Sequence, residues 1–85
     1  MNTWKVDVLL VEEGDITKAD AVITGGKRDL RATGVARRNP HDASVPEIGD
    51  ELAVARALSN LAHQLLERSA QDIEAITHKP THLTR

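Results

Sequence analysis

Five cations stand close together in the middle of this chain: Lys27, Arg28, Arg31, Arg37 and Arg38, with Asp29 the only acid among them, a local charge of +4. Grouped guanidinium and ammonium groups of this kind are often just a solvated surface, and they can also be half of an interface with phosphates, an acidic protein or the acids of a second subunit. Arg31 and Arg37 are six residues apart. On one strand they share a face and stand ~20 Å apart, a distance that suits neighbouring stretches of a phosphate backbone better than one phosphate. Glu47, Asp50 and Glu51 follow the cations at once, so the charge is segregated along the chain.

The other reactive residues point to no chemistry. His78 and His82 have the four-residue spacing of helical metal ligands, but Pro80 lies between them and forbids that helix. They read as two exposed tail histidines. His41-Asp42 is an adjacent pair with no nucleophile near it. Ser44, Ser59 and Ser69 lack the G-x-S-x-G elbow and read as caps or helix-face residues. Gly25-Gly26-Lys27 lacks the rest of a phosphate-binding loop and joins two strands rather than a strand and a helix. The acids at 47, 50 and 51 complement a helix dipole and need no cation. No Cys is present, which excludes disulfides, thiolate metal sites and a cysteine nucleophile. We expect no enzyme, no cofactor, no bound metal and no small-molecule substrate.

The elements that position these residues follow from periodicity. Trp4, Val6, Val8 and Leu10 alternate with Lys5 and Asp7, the period of a half-buried strand, although Leu9 and Val11 make its far end apolar on both faces. Glu12-Glu13-Gly14-Asp15 is a hairpin signal. A second strand over 17–24 sets Ala19, Ala21 and Ile23 against Lys18, Asp20, Val22 and Thr24. Gly25-Gly26 turns the chain. A third strand over 29–37 has Leu30, Ala32, Gly34 and Ala36 on one face. Their decreasing size makes a smooth strip on which a helix can lie close. Arg31, Thr33, Val35 and Arg37 occupy the other face as a basic stripe. Asn39-Pro40 ends the strand.

A long amphipathic helix follows. Its start is open between Pro46, with Ser44 three residues before Glu47 in a capping box, and Asp50 as a competing cap. Ile48, Leu52, Ala55, Leu58, Leu61, Ala62, Leu65 and Leu66 recur at three- and four-residue steps to about Glu67. With Val54 they fill an arc of about 180°, more than one sheet covers. Glu51 falls inside this arc, so either the helix has barely begun there or the carboxylate meets an arginine such as Arg37. Ser69 to Asp72 repeats the capping spacing, and a second short helix is expected from about Ala70 to Thr77, stopped by Lys79-Pro80.

The frame is one α+β domain over residues 1–85, βββαα in order. It contains 85 residues, a single aromatic, Trp4, and eleven Ala. So small a core is short of bulk. Together with the wide apolar arc, this predicts a homodimer. The net charge of −2 is not that of an electrostatically driven nucleic-acid binder. Nothing in Trp4 to Val11 reads as a signal peptide, no apolar run approaches membrane length, and a cytoplasmic location is expected.

The run GVARRNP…VPEIGDELAVARALSNLAHQLL…DIEAITHKP, together with the opening W-x-V-x-V strand, resembles a small actinobacterial family of unknown function with a double-stranded-RNA-binding-domain-like fold. The likeness covers nearly the whole chain. It implies three antiparallel strands backed by the helix, usually as a dimer. Some relatives are linked to dormancy or stress responses and are similar in fold to ribosome hibernation-promoting factors. The chain departs from true double-stranded-RNA binders, which open their C-terminal helix with lysines that meet phosphates. Here the same place reads Pro46-Glu47-Ile48-Gly49-Asp50-Glu51, which repels phosphate. Two functions follow as expectations. One is a dimeric protein-interaction module whose arginines pair with acids across an interface. The other is a stress-linked, ribosome- or RNA-associated factor that binds through Lys27, Arg28, Arg31, Arg37 and Arg38.

Overall fold

Three antiparallel strands and one helix make up the computed structural model, which describes residues 1–26 and 28–83. The strands are β1 (Lys5–Glu13), β2 (Ile16–Thr24) and β3 (Leu30–Arg37), ordered β1-β2-β3 across the sheet, followed by α1 (Pro46–Thr77). Gly14 and Asp15 form the two-residue turn between β1 and β2. Gly14 has φ +56°, which a glycine at the first central position of a type II′ turn adopts without steric cost. The register sets Lys5 opposite Thr24 and Glu13 opposite Ile16 in the first pair, and Ile16 opposite Arg37 in the second. Lys27, Thr84 and Arg85 lie outside the described residues.

The helix lies on β3 and β2, along the strip of small residues. Gly34 is the point of closest approach, with the helix backbone at Ala53–Ala57 over it. Among the described residues the core is Ala19, Ala21, Ile23, Ala32, Ala36, Ala53, Ala57 and Leu61, with Leu30, Val54 and Leu65 packed against it. Six of these eight buried residues are alanines, so each contributes little more than one methyl group of burial. The alternation in β2 and β3 is as the sequence implies, with Ala19, Ala21, Ile23, Ala32, Gly34 and Ala36 all under the helix.

Three expectations are corrected. The first concerns β1, which reads as half-buried: all nine of its residues are exposed, Val8 and Leu10 on the helix side at 37% and 38% and Leu9 on the open side at 65%. The helix sits chiefly over the other two strands, so the apolar side of β1 is only flanked by it. The second concerns the helix, which is one continuous rod of 32 residues with no break before Ala70. Ser69 does not cap a new helix; its hydroxyl donates to Leu65 O at 2.9 Å, inside the helix it belongs to. The rod ends at His78, in the left-handed conformation at φ 59°, whose N–H donates to Glu74 O. The third concerns the helix start. It lies at Pro46, one of the two starts the sequence left open, but Val45 is the N-cap residue with no side-chain cap, so the expected Ser44 capping box does not form. Asp50 and Glu51 are inside the helix. Glu51 is exposed on its flank, while Arg37 points from the far face of the sheet, and the two do not meet.

Candidate interaction surface

The cations do not form one patch. Arg31 and Arg37 project from the open face of the sheet and, among the described residues, neither has an ion-pair partner. Between them the face is mixed: Thr33 Oγ1 donates to Asp20 Oδ1 at 2.9 Å. Arg38 turns into the β1–β2 turn, where its guanidinium meets the Asp15 carboxylate and donates to Asp42 O at 2.6 Å. It therefore clamps the loop that leads to the helix. Arg28 reaches the other way, to Asp72 on the helix at 3.5 Å, with both side chains exposed. Lys27 cannot be placed with them, since it lies outside the described residues.

A different surface stands out. Trp4, Val6, Val8 and Leu10 on the helix side of β1 are exposed, as are Leu9 and Val11 on its open side. At 100° per residue, Asp50, Val54, Leu58 and Leu65 lie on the helix flank that turns toward β1. Two observations agree with that placement: Asp50 meets Glu12 near the end of β1, and Leu65 with Trp4 lines a shallow cleft of ≈ 230 Å³ completed by Ile23, Leu30 and Arg68. Leu58 is exposed. An open apolar trough therefore runs between β1 and the helix. In the last turn of the helix Ile76 is 80% exposed, while the tail turns back so that Thr81 N–H donates to Glu74 Oε1 at 2.7 Å.

One end of this trough is acidic. Glu12 faces Asp50, and the pair can share a hydrogen bond only when one of them holds a proton. The Asp50 carboxylate, through that hydrogen bond and by repulsion, raises the pKa of Glu12 above the ordinary carboxylate value; partial desolvation and Glu47 add to the effect. Asp50 Oδ1 is shielded from water and has no partner among the described residues. Sequence reasoning did not bring these acids together. They are 38 positions apart, and only the closure of the sheet against the first turns of the helix makes them neighbours. A second cleft, of ≈ 550 Å³, opens beside them between Thr17, Arg37, Asn39, Ser44 and Ile48. Among the described residues no three metal-ligating side chains come together, and no helix is long and apolar enough to cross a membrane.

Residues 2–82 match the sequence profile of the Rv2632c-like family. The chain belongs to that family. It is 49% identical over 80 residues to the uncharacterized protein Mb1767 of Mycobacterium bovis, covering 94% of this chain and 85% of that one. It is 47% identical over 78 residues to the uncharacterized protein Rv2632c of Mycobacterium tuberculosis, covering 92% and 84%. The crystal structure of Rv2632c superposes with a TM-score of 0.85 at 46% identity, over 94% of this chain and 95% of that one. This chain and Rv2632c thus share one fold over nearly their whole lengths. The match spans nearly the full length of each relative, so the β1 trough and the cation positions lie within the shared region.

Proposed function

We propose that this member of the Rv2632c-like family is a small dimeric protein-interaction module in the cytoplasm, with no catalytic site, and that β1 and the adjoining helix flank form its contact surface. One observation carries the reading: the small apolar residues are inside and the large ones outside. Six alanines fill most of the core, whereas Trp4, Val6, Val8, Leu9, Leu10, Val11 and Leu58 are exposed, all but Leu9 and Val11 around one trough. Apolar burial is worth ~25 cal/mol per Å², so an alanine core gives this fold little, and the uncovered side chains are where more is to be gained. Light scattering at micromolar concentration should give about twice the chain mass of 9.3 kDa. A mass of one chain would end the proposal.

The second reading, an RNA- or ribosome-associated factor of the hibernation type, rests on Arg31 and Arg37, which point outward from the same face. It is the weaker of the two. Arg28 and Arg38 are engaged within the chain, and Asp7 and Asp20 share the open face with the arginines. No aromatic side chain is available there to stack a base. The test is ribosome or duplex RNA binding over a salt series. If each arginine neutralises one phosphate, replacing Arg31 and Arg37 with Ala should lower the salt slope of log affinity by nearly one per residue replaced. No binding by the unmodified protein leaves the interaction module standing alone.

A further inference from the structure

The two edges of the sheet are treated differently. On β3 the two central outward carbonyls are taken up by the helix: Asn60 Nδ2 donates to Thr33 O at 2.8 Å, and Arg56 donates to Val35 O at 2.8 Å. These two side chains reach around the strand and close its edge to another chain. Among the described residues no helix side chain is seen to close the β1 edge in this way. The strand is nine residues long, it holds no Pro or Gly, its pairing with β2 has no bulge, and every residue is exposed. A long, regular edge that is apolar in its middle, here from Val8 to Val11, is a template for another strand.

We propose that β1 is the edge at which a second copy of this chain adds, β1 to β1 and antiparallel, about a two-fold axis at Leu9, so that two sheets become one of six strands. This inference rests on the dimeric reading above and names its geometry. The direction of the backbone groups follows from the hairpin. Glu13 and Ile16 flank a two-residue turn and exchange backbone hydrogen bonds across it, so the odd-numbered residues of β1 direct their N–H and C=O groups at β2. Val6, Val8, Leu10 and Glu12 then direct theirs to the open edge, and all four find partners in the new pair.

Charge and overlap together select the register, since a pair centred on Val8 has no like-charge conflict but loses both Lys5–Glu13 pairs and leaves Glu12 and Glu13 unpaired. Centred on Leu9, the strand overlaps its copy along its whole length, and Lys5 falls opposite the partner's Glu13 at both ends. Val8 meets the partner's Leu10, and Leu9, 65% exposed in the single chain, meets its own copy. A shift that centres the pair on Asp7 sets Asp7 against Asp7. A shift the other way, centred on Leu10, sets Asp7 against Glu13. Like charges directly opposite are destabilising, whereas opposite charges contribute to pairing. The Leu9 register avoids both conflicts and wastes none of the strand.

The chain has no cysteine, so one thiol at a time reports the geometry. Leu9 belongs to a non-hydrogen-bonded pair, in which facing Cα atoms lie ~4.5 Å apart, inside the range a disulfide spans. Leu9→Cys should therefore become a covalent dimer on mild oxidation, and Asp7→Cys and Val35→Cys should not. In the unmodified protein, the amides of Val6, Val8, Leu10 and Glu12 should exchange slowly with deuterium. A dimer by light scattering in which these four amides exchange fast, or in which Leu9→Cys stays reduced, overturns the edge pairing and leaves the dimer intact. Cross-linking through Asp7→Cys equal to that through Leu9→Cys overturns the register. A single-chain mass overturns both proposals.

Discussion

Placing one methyl group at Gly34 should lift the helix off the sheet. A Cβ there would stand 2.2 Å from Ala53 O and 2.2 Å from Ala57 N, with the Arg56 carbonyl carbon at 2.8 Å. Non-bonded heavy atoms rest at ~3.5 Å or more, so the two backbones must part by roughly 1.3 Å. No rotamer change relieves this, because every atom in the way is main chain. The separation also stretches the Asn60 and Arg56 hydrogen bonds that close the β3 edge. Overpacking of a core costs ~1–3 kcal/mol, and the upper end applies where neither side can yield. For a domain of this size each kcal/mol is worth roughly 4–8 °C, so Gly34→Ala should lower Tm by roughly 12–24 °C. Val35→Ala is the control: the adjacent residue points from the open face, and its loss should cost no more than ~1 kcal/mol. Circular dichroism melts at one fixed protein concentration make the comparison, since the Tm of a dimer depends on concentration. Equal midpoints for the two variants would show that the helix does not press on Gly34.

The acidic end of the trough gives a pH prediction. Glu12 binds its proton more tightly in the folded chain than in the unfolded one, so its contribution is fully present below the ordinary carboxylate value of 4.5 and is lost as pH rises through the raised folded pKa. Asp50→Asn should stabilise the protein at pH 7 relative to pH 4.5 and flatten this part of the profile. A variant that melts lower at pH 7 than the unmodified protein would mean that Asp50 has a favourable partner instead. Ser69→Ala tests the continuous helix: at a helix interior Ala gains up to ~0.5 kcal/mol, whereas losing an N-cap costs ~1 kcal/mol. A higher or unchanged midpoint is expected, and a clear drop would restore a break at that position.

The order of elements was legible in the sequence because each depends on local chemistry. Period-two alternation in β2 and β3, a glycine in the β1–β2 turn, and the small residues of β3 together imply a sheet face on which a helix lies close. The helix start narrowed to two choices and no further, since both Pro46 and Asp50 satisfy local rules. The break expected near Ala70 failed because a serine that can cap a helix can equally donate to the carbonyl four residues back, and nothing local distinguishes the two. The candidate surface was not legible. Whether β1 is half-buried depends on where the helix crosses the sheet, and that is set by the closest approach at Gly34, on a different strand. The same crossing decides the fate of the cations. Arg31 and Arg37 share a face by periodicity alone, but Arg28 goes to Asp72 and Arg38 to Asp15 because the tertiary fold brings those acids within reach. Glu12 and Asp50 are the opposite case, two like charges that neither local sequence would place together. Local pattern fixes which residues share a face; only packing decides which face is covered.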